Sequence, residues 1–528
     1  MKMVKSLLLG SAAGLVAVAG AQAADLPVKA KPVEYVKVCS IYGAGFFYIP
    51  GTDTCIKIGG WVRAEYAFQS GNSDVMFNQG GGGRNNRIDT NELGMRARWV
   101  TSLDVRTQTE YGTLRAYTRA GFQLTTGDTT QGKIYTERAF IQFAGFTLGK
   151  SQSYFDFMSG VFCYGCGFMG NGSQTGAAGT LLFAYTATLG NGITATLSAE
   201  DQTMRRGVIW DTSNDATNAL VIGNTPGPIA AADDYNLPPG LNVGDTAATQ
   251  IPDIVGALRV DQAWGSAQVA GALHQLRAGN YGNNSTGAGG GLVGGGLASP
   301  ADAYGWAVMA GIVVNVPWNK GDKFWVEGTF AQGAGAYAGM SAVVGQTNNW
   351  QRFNGANVAA AWAIDSVFGN LAATGGQTGQ QLTNFWSIAA AFEHYWTPAL
   401  RTDIFGSYSG ADFNGTATTL FCASPQSPVR GLAVAGQAVV GTPTGAAAVS
   451  GCNPDFNLIN VGARTIWNPA AQFDIGVEVM YSRVETKFDP NLMALNFAGS
   501  GGRAPGLYAP SSENVFSGIL RFQRNFWP

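Results

Sequence analysis

The strongest constraint on this chain is a two-residue rhythm that begins at Ile56 and recurs to the end. Ile56, Ile58, Val62, Ala64, Tyr66 and Phe68 share one face, while Lys57, Gly59, Arg63 and Glu65 take the other with Trp61. Next, Ala97, Trp99, Leu103 and Val105 oppose Arg96, Arg98, Ser102, Asp104 and Arg106. Leu114, Ala116, Ala120 and Phe122 oppose Arg115, Tyr117 and Arg119. The same pattern runs through 306–314, 324–330, 386–393, 459–467, 473–481 and 516–526. A period of two is the signature of a strand whose faces meet different surroundings.

Composition says what those surroundings are. Charged residues make up 12% of the 528, against about 25% in an ordinary globular protein. A soluble surface of this size needs more charge. Disorder is excluded as well, because 46% of the chain is apolar and its formal charge is −2; disordered chains pair low hydrophobicity with high charge. The 74 glycines show no three-residue period, so the chain is not collagen-like. Past the N-terminal region no run of 18 apolar residues occurs. The nearest, 431–449, is broken by Gln437, Pro443 and glycines. Lipid tolerates only spanning structures that satisfy every backbone group, which leaves a closed β-barrel.

The first residues read as an export signal. Lys2 and Lys5 precede an apolar stretch from Leu7 to Ala19, and Ala21-Gln22-Ala23 supplies small residues for cleavage. The expected organisation is a signal peptide over 1–23, a short periplasmic segment over 24–55 and a transmembrane barrel over 56–526. Six cysteines suit an oxidising compartment. Pairing in chain order (Cys39 with Cys55, Cys163 with Cys166, Cys422 with Cys452) is the simplest of 15 connectivities. Cys163-Tyr164-Gly165-Cys166 also has redox C-x-x-C spacing, but Gly- and Ser-rich sequence follows it where a helix is required.

Strands are expected near 56–68, 94–107, 113–122, 133–143, 146–151, 180–189, 193–200, 253–261, 267–277, 303–316, 324–332, 384–396, 401–409, 456–467, 473–486 and 513–526. The total is 16, and even. The connections alternate long and short. The short ones fall near 108–112, 144–145, 190–192, 262–266, 317–323, 397–400 and 468–472, and carry turn sequences such as Gly190-Asn191-Gly192 and Asn468-Pro469. Short periplasmic turns opposite longer outer loops mark an outer-membrane barrel. Tyr111, Trp264, Trp318, Trp396 and Trp467 gather at the short-turn ends, where an interfacial aromatic girdle belongs. The glycine clusters at 287–291 and 294–296 have no strand and helix to frame a phosphate loop. Residues 333–383 and 410–455 are expected to be mobile or folded over the mouth.

Sixteen strands leave a water-filled lumen. Its selectivity is set at the narrowest point. Arg63, Arg96, Arg98, Arg106, Arg115 and Arg119 fall on the inward face, opposite a third long connection, Ser151 to Thr180, that holds Asp156. They either form a constriction with a transverse field or only wet the wall and pair with Glu65 and Asp104. Passive diffusion of small hydrophilic solutes and ions is the expected function; a solute-specific channel and a barrel with an adhesin or structural role are the alternatives. An enzyme is not expected. His274 and His394 are the only histidines, and neither has a G-x-S-x-G motif. No cofactor, metal or nucleic-acid partner is indicated.

The segments Tyr35-Val36-Lys37-Val38-Cys39, Tyr42-Gly43-Ala44-Gly45-Phe46-Phe47-Tyr48-Ile49-Pro50-Gly51-Thr52 and Cys55-Ile56-Lys57-Ile58-Gly59-Gly60 resemble the start of alphaproteobacterial, rhizobial-type, outer-membrane general porins. Ser6-Leu7-Leu8-Leu9-Gly10-Ser11-Ala12-Ala13 resembles their signal. The resemblance implies an all-β, 16-stranded antiparallel transmembrane barrel in the outer-membrane lipid. It also implies a homotrimer and a third loop folded inward, with Asp156 on that loop and the strand arginines on the opposing wall. Two features depart from the family pattern. Phe526 is followed by Trp527 and Pro528, where such porins commonly end on an aromatic. Asp156 is the third loop's one acid, which weakens the case for strong cation selectivity and leaves an anion-leaning pore open.

Overall fold

Lipid on one side and water on the other select an alternating strand, and hydrogen bonding within the bilayer then forces neighbouring strands to pair until none is left open. The computed structural model describes residues 37–68, 93–126, 133–159, 162–164, 170–176, 178–212, 246–247, 249–279, 281, 299–340, 349–371, 376–424, 429–431, 451–497 and 506–526. The expected signal peptide and Trp527-Pro528 lie outside them.

Sixteen long strands follow in chain order: β1 (Cys55–Phe68), β2 (Leu93–Thr109), β3 (Gly112–Thr125), β4 (Lys133–Phe143), β5 (Phe146–Ser151), β6 (Thr180–Gly190), β7 (Ile193–Glu200), β8 (Asp253–Gln262), β9 (Gly265–Leu276), β10 (Ala303–Asn315), β11 (Lys323–Gln332), β12 (Asn384–Thr397), β13 (Leu400–Asp412), β14 (Phe456–Ala470), β15 (Phe473–Thr486) and β16 (Glu513–Asn525). Each pairs antiparallel with the next. The sheet closes through β1 and β16, from Trp61 opposite Asn525 to Phe68 opposite Gly518. The expected barrel is therefore present, with strand ends shifted by a few residues.

The alternation sorts as the sequence requires. Val62, Trp99, Phe122, Leu181, Val269, Val461 and Val477 are 48–60% exposed on the outer face. A soluble protein would not leave so continuous an apolar band uncovered. Tyr111, Trp264, Trp318, Trp396 and Trp467 are exposed along the short-turn rim, which is the expected girdle. Six of the seven connections on that rim are two residues long. Ala144-Gly145 and Asn191-Gly192 have both central residues at positive φ (48° and 87°, 50° and 73°). This is the hairpin turn whose twist matches that of its strands. The seventh connection is held by Asp322, which accepts from the Tyr395 N–H at 2.8 Å and from Asn319 at 2.8 Å and lies 2.6 Å from His394 Nδ1.

The described parts of the long connections on the other rim form further sheets and a helix. Val208–Asp211, Ile364–Leu371 and Gly376–Leu382 form a three-stranded sheet; Asn349–Asn354, Asn357–Trp362, Gly506–Pro510, Met493–Phe497 and Val429–Gly431 form one of five strands. Helix α1 (Gly415–Ala423) starts at Asn414, whose side chain accepts from the Ala417 N–H, an N-cap bond. Trp210, Trp362, Phe421 and Phe488 pack into one core among these elements. Of the two expectations for 333–383 and 410–455, the described parts meet the folded one.

Disulfides join Cys39 to Cys55 and Cys422 to Cys452, as in-order pairing expects. Cys163 is also disulfide-bonded; Cys166 lies outside the described residues. The Cys39–Cys55 bridge and Phe46 are buried together, with Tyr42 and Tyr48 packed against them. This hairpin lies against the lumen-facing side chains of Lys57 and Arg106, 5.8 Å and 4.9 Å from the Phe46 ring centre.

Candidate functional site

The third long connection leaves β5 at Ser151 and turns into the barrel. Its first turn is fixed from within: the Ser153 N–H donates to Thr175 Oγ1 at 2.9 Å, and the N–H and hydroxyl of Thr175 each donate to Asp156 at 2.8 Å. Arg205, from the next long connection, binds the other Asp156 oxygen. Burial pushes the Asp156 carboxyl up, and Arg205 and the two Thr175 donors offset only part of that. Gln268 on β9 donates to the carbonyls of Tyr154, Phe155 and Asp156.

The loop then crosses the inner wall strand by strand. Phe157 lies on Gly311 of β10, where any Cβ would come within 2.3 Å of the ring. The Met158 N–H donates to Glu327 of β11 at 2.9 Å, and Ser173 donates to the same carboxylate. Phe162 packs on Phe405 of β13. The Tyr164 N–H donates to Glu478 of β15, and its hydroxyl occupies the space above Gly476. The Tyr164 ring meets Arg464 of β14 at 4.9 Å and Arg521 of β16 at 3.5 Å. Phe155, Met158 and Phe162 are fully buried, so about half the wall, β9 to β16, is lined by loop 3 rather than by its own side chains.

In the other half of the wall, strands β1 to β4 carry the arginines. Arg96 and Arg521 bind Glu65 at 2.8 and 2.5 Å, and Arg63 lies 3.8 Å from it while donating to Gln523 at 2.7 Å. Arg98 donates to the Tyr135 hydroxyl at 2.9 Å and lies 3.7 Å from Glu137. Arg119 meets Glu137 at 2.7 Å. Arg106 and Arg115 both bind Asp104, at 2.8 and 2.9 Å. Rings lie under several guanidiniums: Trp61 beneath Arg63 at 4.0 Å, Tyr135 beside Arg98 at 4.9 Å, Tyr117 beside Arg115 at 4.9 Å.

The six arginines project from the inward face; Arg63, Arg96, Arg106 and Arg115 pair with Glu65 or Asp104, whereas Arg98 and Arg119 pair with Glu137. Arg63 and Arg96 connect to the far end of loop 3 through Glu65 and Arg521, which lies on the Tyr164 ring, while Arg98 and Arg119 meet at Glu137. Arg106, opposite Cys55 in the register, is brought instead to the N-terminal hairpin. Asp156 faces the loop's interior, 5% exposed.

Three contributors escaped the sequence reading. Glu137 and Arg138 are adjacent charges in one strand, and an irregularity in the β3–β4 register at this point gives Arg119 a carboxylate partner. Two neighbouring charges inside an alternating strand signal such a bulge. Arg205 and Tyr164 lie in irregular segments, where no periodicity exists to find them.

The family comparison decides what kind of barrel this is. The model of a family described as the porin subfamily matches residues 25–501. The chain belongs to that porin subfamily. It resembles the porin Omp2b of Brucella abortus and of Brucella suis at 32% identity over 281 residues. That alignment covers 51% of this chain and 65% of each relative, so it spans just under two thirds of the relatives' own length. Among solved structures, the outer membrane channel DcaP of Acinetobacter baumannii superposes with a TM-score of 0.53 at 12% identity, over 91% of this chain and 99% of that one. The shared feature is the barrel fold. This porin-family chain is an outer-membrane β-barrel, in keeping with its apolar outer band and aromatic rim.

Proposed function

We propose that the protein is a passive diffusion channel for small hydrophilic solutes and ions, its passage bounded by loop 3 on one side and by Arg63, Arg96, Arg98, Arg115 and Arg119 on the other. One observation carries this reading. The guanidiniums keep 13–36% side-chain exposure inside a closed barrel, so that wall faces water and not packed protein. Asp156 serves as the loop's internal anchor, and Arg106 belongs to the short-turn mouth.

The reading includes a homotrimer. Crossing an outer-membrane apolar band of about 25 Å takes about 9–11 tilted residues. Strand β5 has six residues and β7 eight, so the wall is low where loop 3 leaves it. Leu148 and Leu181 remain exposed beside that gap. A neighbouring copy would cover it, whereas lipid would meet loop backbone. Residues 1–23 fit a signal removed on export.

Liposome swelling tests the channel. Purified protein should admit uncharged sugars at rates that fall with size. Liposomes that stay osmotically tight to the smallest sugar would contradict it.

A further inference from the structure

We infer that the lumen selects for anions and that its preferred solutes carry a carboxylate or phosphate group; this rests on the channel reading above. In each ion pair of the arginine wall, the guanidinium reaches water more than its carboxylate does. For Arg63 and Arg96 on Glu65, side-chain exposure is 15% and 16% against 0%. For Arg98 and Arg119 on Glu137 it is 13% and 36% against 5%. For Arg106 and Arg115 on Asp104 it is 27% and 26% against 11%. The carboxylates lie behind and the guanidiniums in front.

Number reinforces position. With Arg521, seven arginines share three carboxylates. Arginine stays charged at every accessible pH. These described ion pairs therefore hold four more guanidiniums than carboxylates.

Elsewhere in the lumen the more exposed Glu393 and Asp261 each pair with an arginine, Arg401 and Arg259, and the acids nearest loop 3 are buried. Glu200, Asp253, Glu327, Asp403 and Glu478 are each 0–1% exposed. Loop 3 covers three of them with backbone N–H donors, from Tyr154, Met158 and Tyr164. Asp253 is bound by His274 and the Tyr337 hydroxyl, and Asp403 by Arg464. The inward loop thus removes acids from the solution face and exposes no acid of its own among the described residues.

The aromatic rings add chemical specificity. Trp61, Tyr135 and Tyr117 lie 4.0, 4.9 and 4.9 Å from the guanidiniums of Arg63, Arg98 and Arg115. A guanidinium beside a ring presents its N–H donors at its edge, where carboxylate and phosphate oxygens are bound; on Arg63 and Arg98 the carboxylate partners stand off at 3.8 and 3.7 Å. Solutes with a planar carboxylate or a phosphate fit this wall; chloride meets only its charge.

The test is the zero-current potential of the full-length protein in a planar bilayer across a potassium chloride gradient. The expected sign is that of an anion-selective channel, and it should persist when potassium phosphate replaces chloride. The pair Arg115→Gln with Arg119→Gln should lower the anion-to-cation permeability ratio by about twofold or more. Arg119→Lys should keep the wild-type sign, and unchanged thermal unfolding in detergent certifies each variant as folded. A cation-signed potential in either salt, or a folded double variant with the wild-type ratio, overturns the inference while the observed current leaves the channel reading intact. Absence of any current contradicts the channel reading itself.

Discussion

Arg521 lies 3.5 Å from the centre of the Tyr164 ring while its guanidinium binds Glu65 at 2.5 Å. This contact ties the far end of loop 3 to β1 and β16, across the gap left by the rest of the loop. A cation over an aromatic face is worth about 0.5–2 kcal/mol, and the Tyr164 N–H bond to Glu478 adds a second tether. Tyr164→Ala should raise single-channel conductance and increase open-channel noise, because the loop end loses its seat. Tyr164→Phe keeps the ring and should behave as wild type. Equal conductance in the alanine variant would place Tyr164 outside the conducting path.

At its other end the loop depends on Asp156 and Arg205, whose side chains are 0% and 1% exposed. Removing one partner of a buried ion pair costs about 3–5 kcal/mol, because the other is left as an uncompensated charge. Asp156→Ala or Arg205→Ala should lower the thermal midpoint in detergent and expose loop 3 to protease. Asp156→Leu combined with Arg205→Met should recover part of the loss. Single variants as stable as wild type would mean the loop is anchored elsewhere.

Asp365 gives a pH dependence of definite sign. It sits in the folded outer loops, accepts the Gly335 N–H at 2.8 Å and is 1% exposed. Burial pushes its carboxyl up to about 6, against the pull of His274 and of backbone N–H groups. A raised pKa means that the folded protein holds the proton more tightly than the unfolded chain. Its contribution is present below an ordinary carboxylate value of about 3.9 and is lost as pH rises through about 6, amounting to about 3 kcal/mol at most. Asp365→Asn should therefore gain thermal midpoint relative to wild type between pH 4 and pH 7. A difference that stays constant across that range contradicts the assignment.

The low wall at β5 to β7 makes the trimer testable. Leu181 is 58% exposed beside the six-residue strand β5. Leu181→Arg puts a charge where a second copy is expected to pack, at a cost of several kcal/mol if the contact is dry. The trimer band on semi-native gels should dissociate at a lower temperature, while Val461→Arg, on a full-length strand, should instead hinder membrane assembly. Unaltered trimers in Leu181→Arg would move the interface to another face.

The barrel was legible because lipid leaves a strand no choice. Every residue at alternate positions from Ile56 to Phe68 had to be apolar or small, whereas the short, Gly-containing Phe146–Ser151 strand carries the weakest pattern of the sixteen. The inward arginines followed from the same rhythm. Their partners did so only in part: Glu65 and Asp104 obey the alternation, whereas Glu137 depends on a register shift. Helix α1 was hidden because Gly415-Thr416-Ala417-Thr418-Thr419 has poor helix propensity. It is held by Asn414, by the Cys422–Cys452 bridge and by Phe421 against Trp362. Loop 3's path was implied only by family resemblance, since most of its contacts are made to strands more than a hundred residues away.

The account stands on the claim that the arginine wall lines a conducting path. Arg119→Cys tests this most directly, since no cysteine among the described residues is free to compete. In a planar bilayer the variant should open in discrete steps. Adding a bulky, negatively charged thiol reagent should then lower the current of each open channel in steps. Stepwise channels whose current is untouched by a reagent shown to have reacted would contradict the claim.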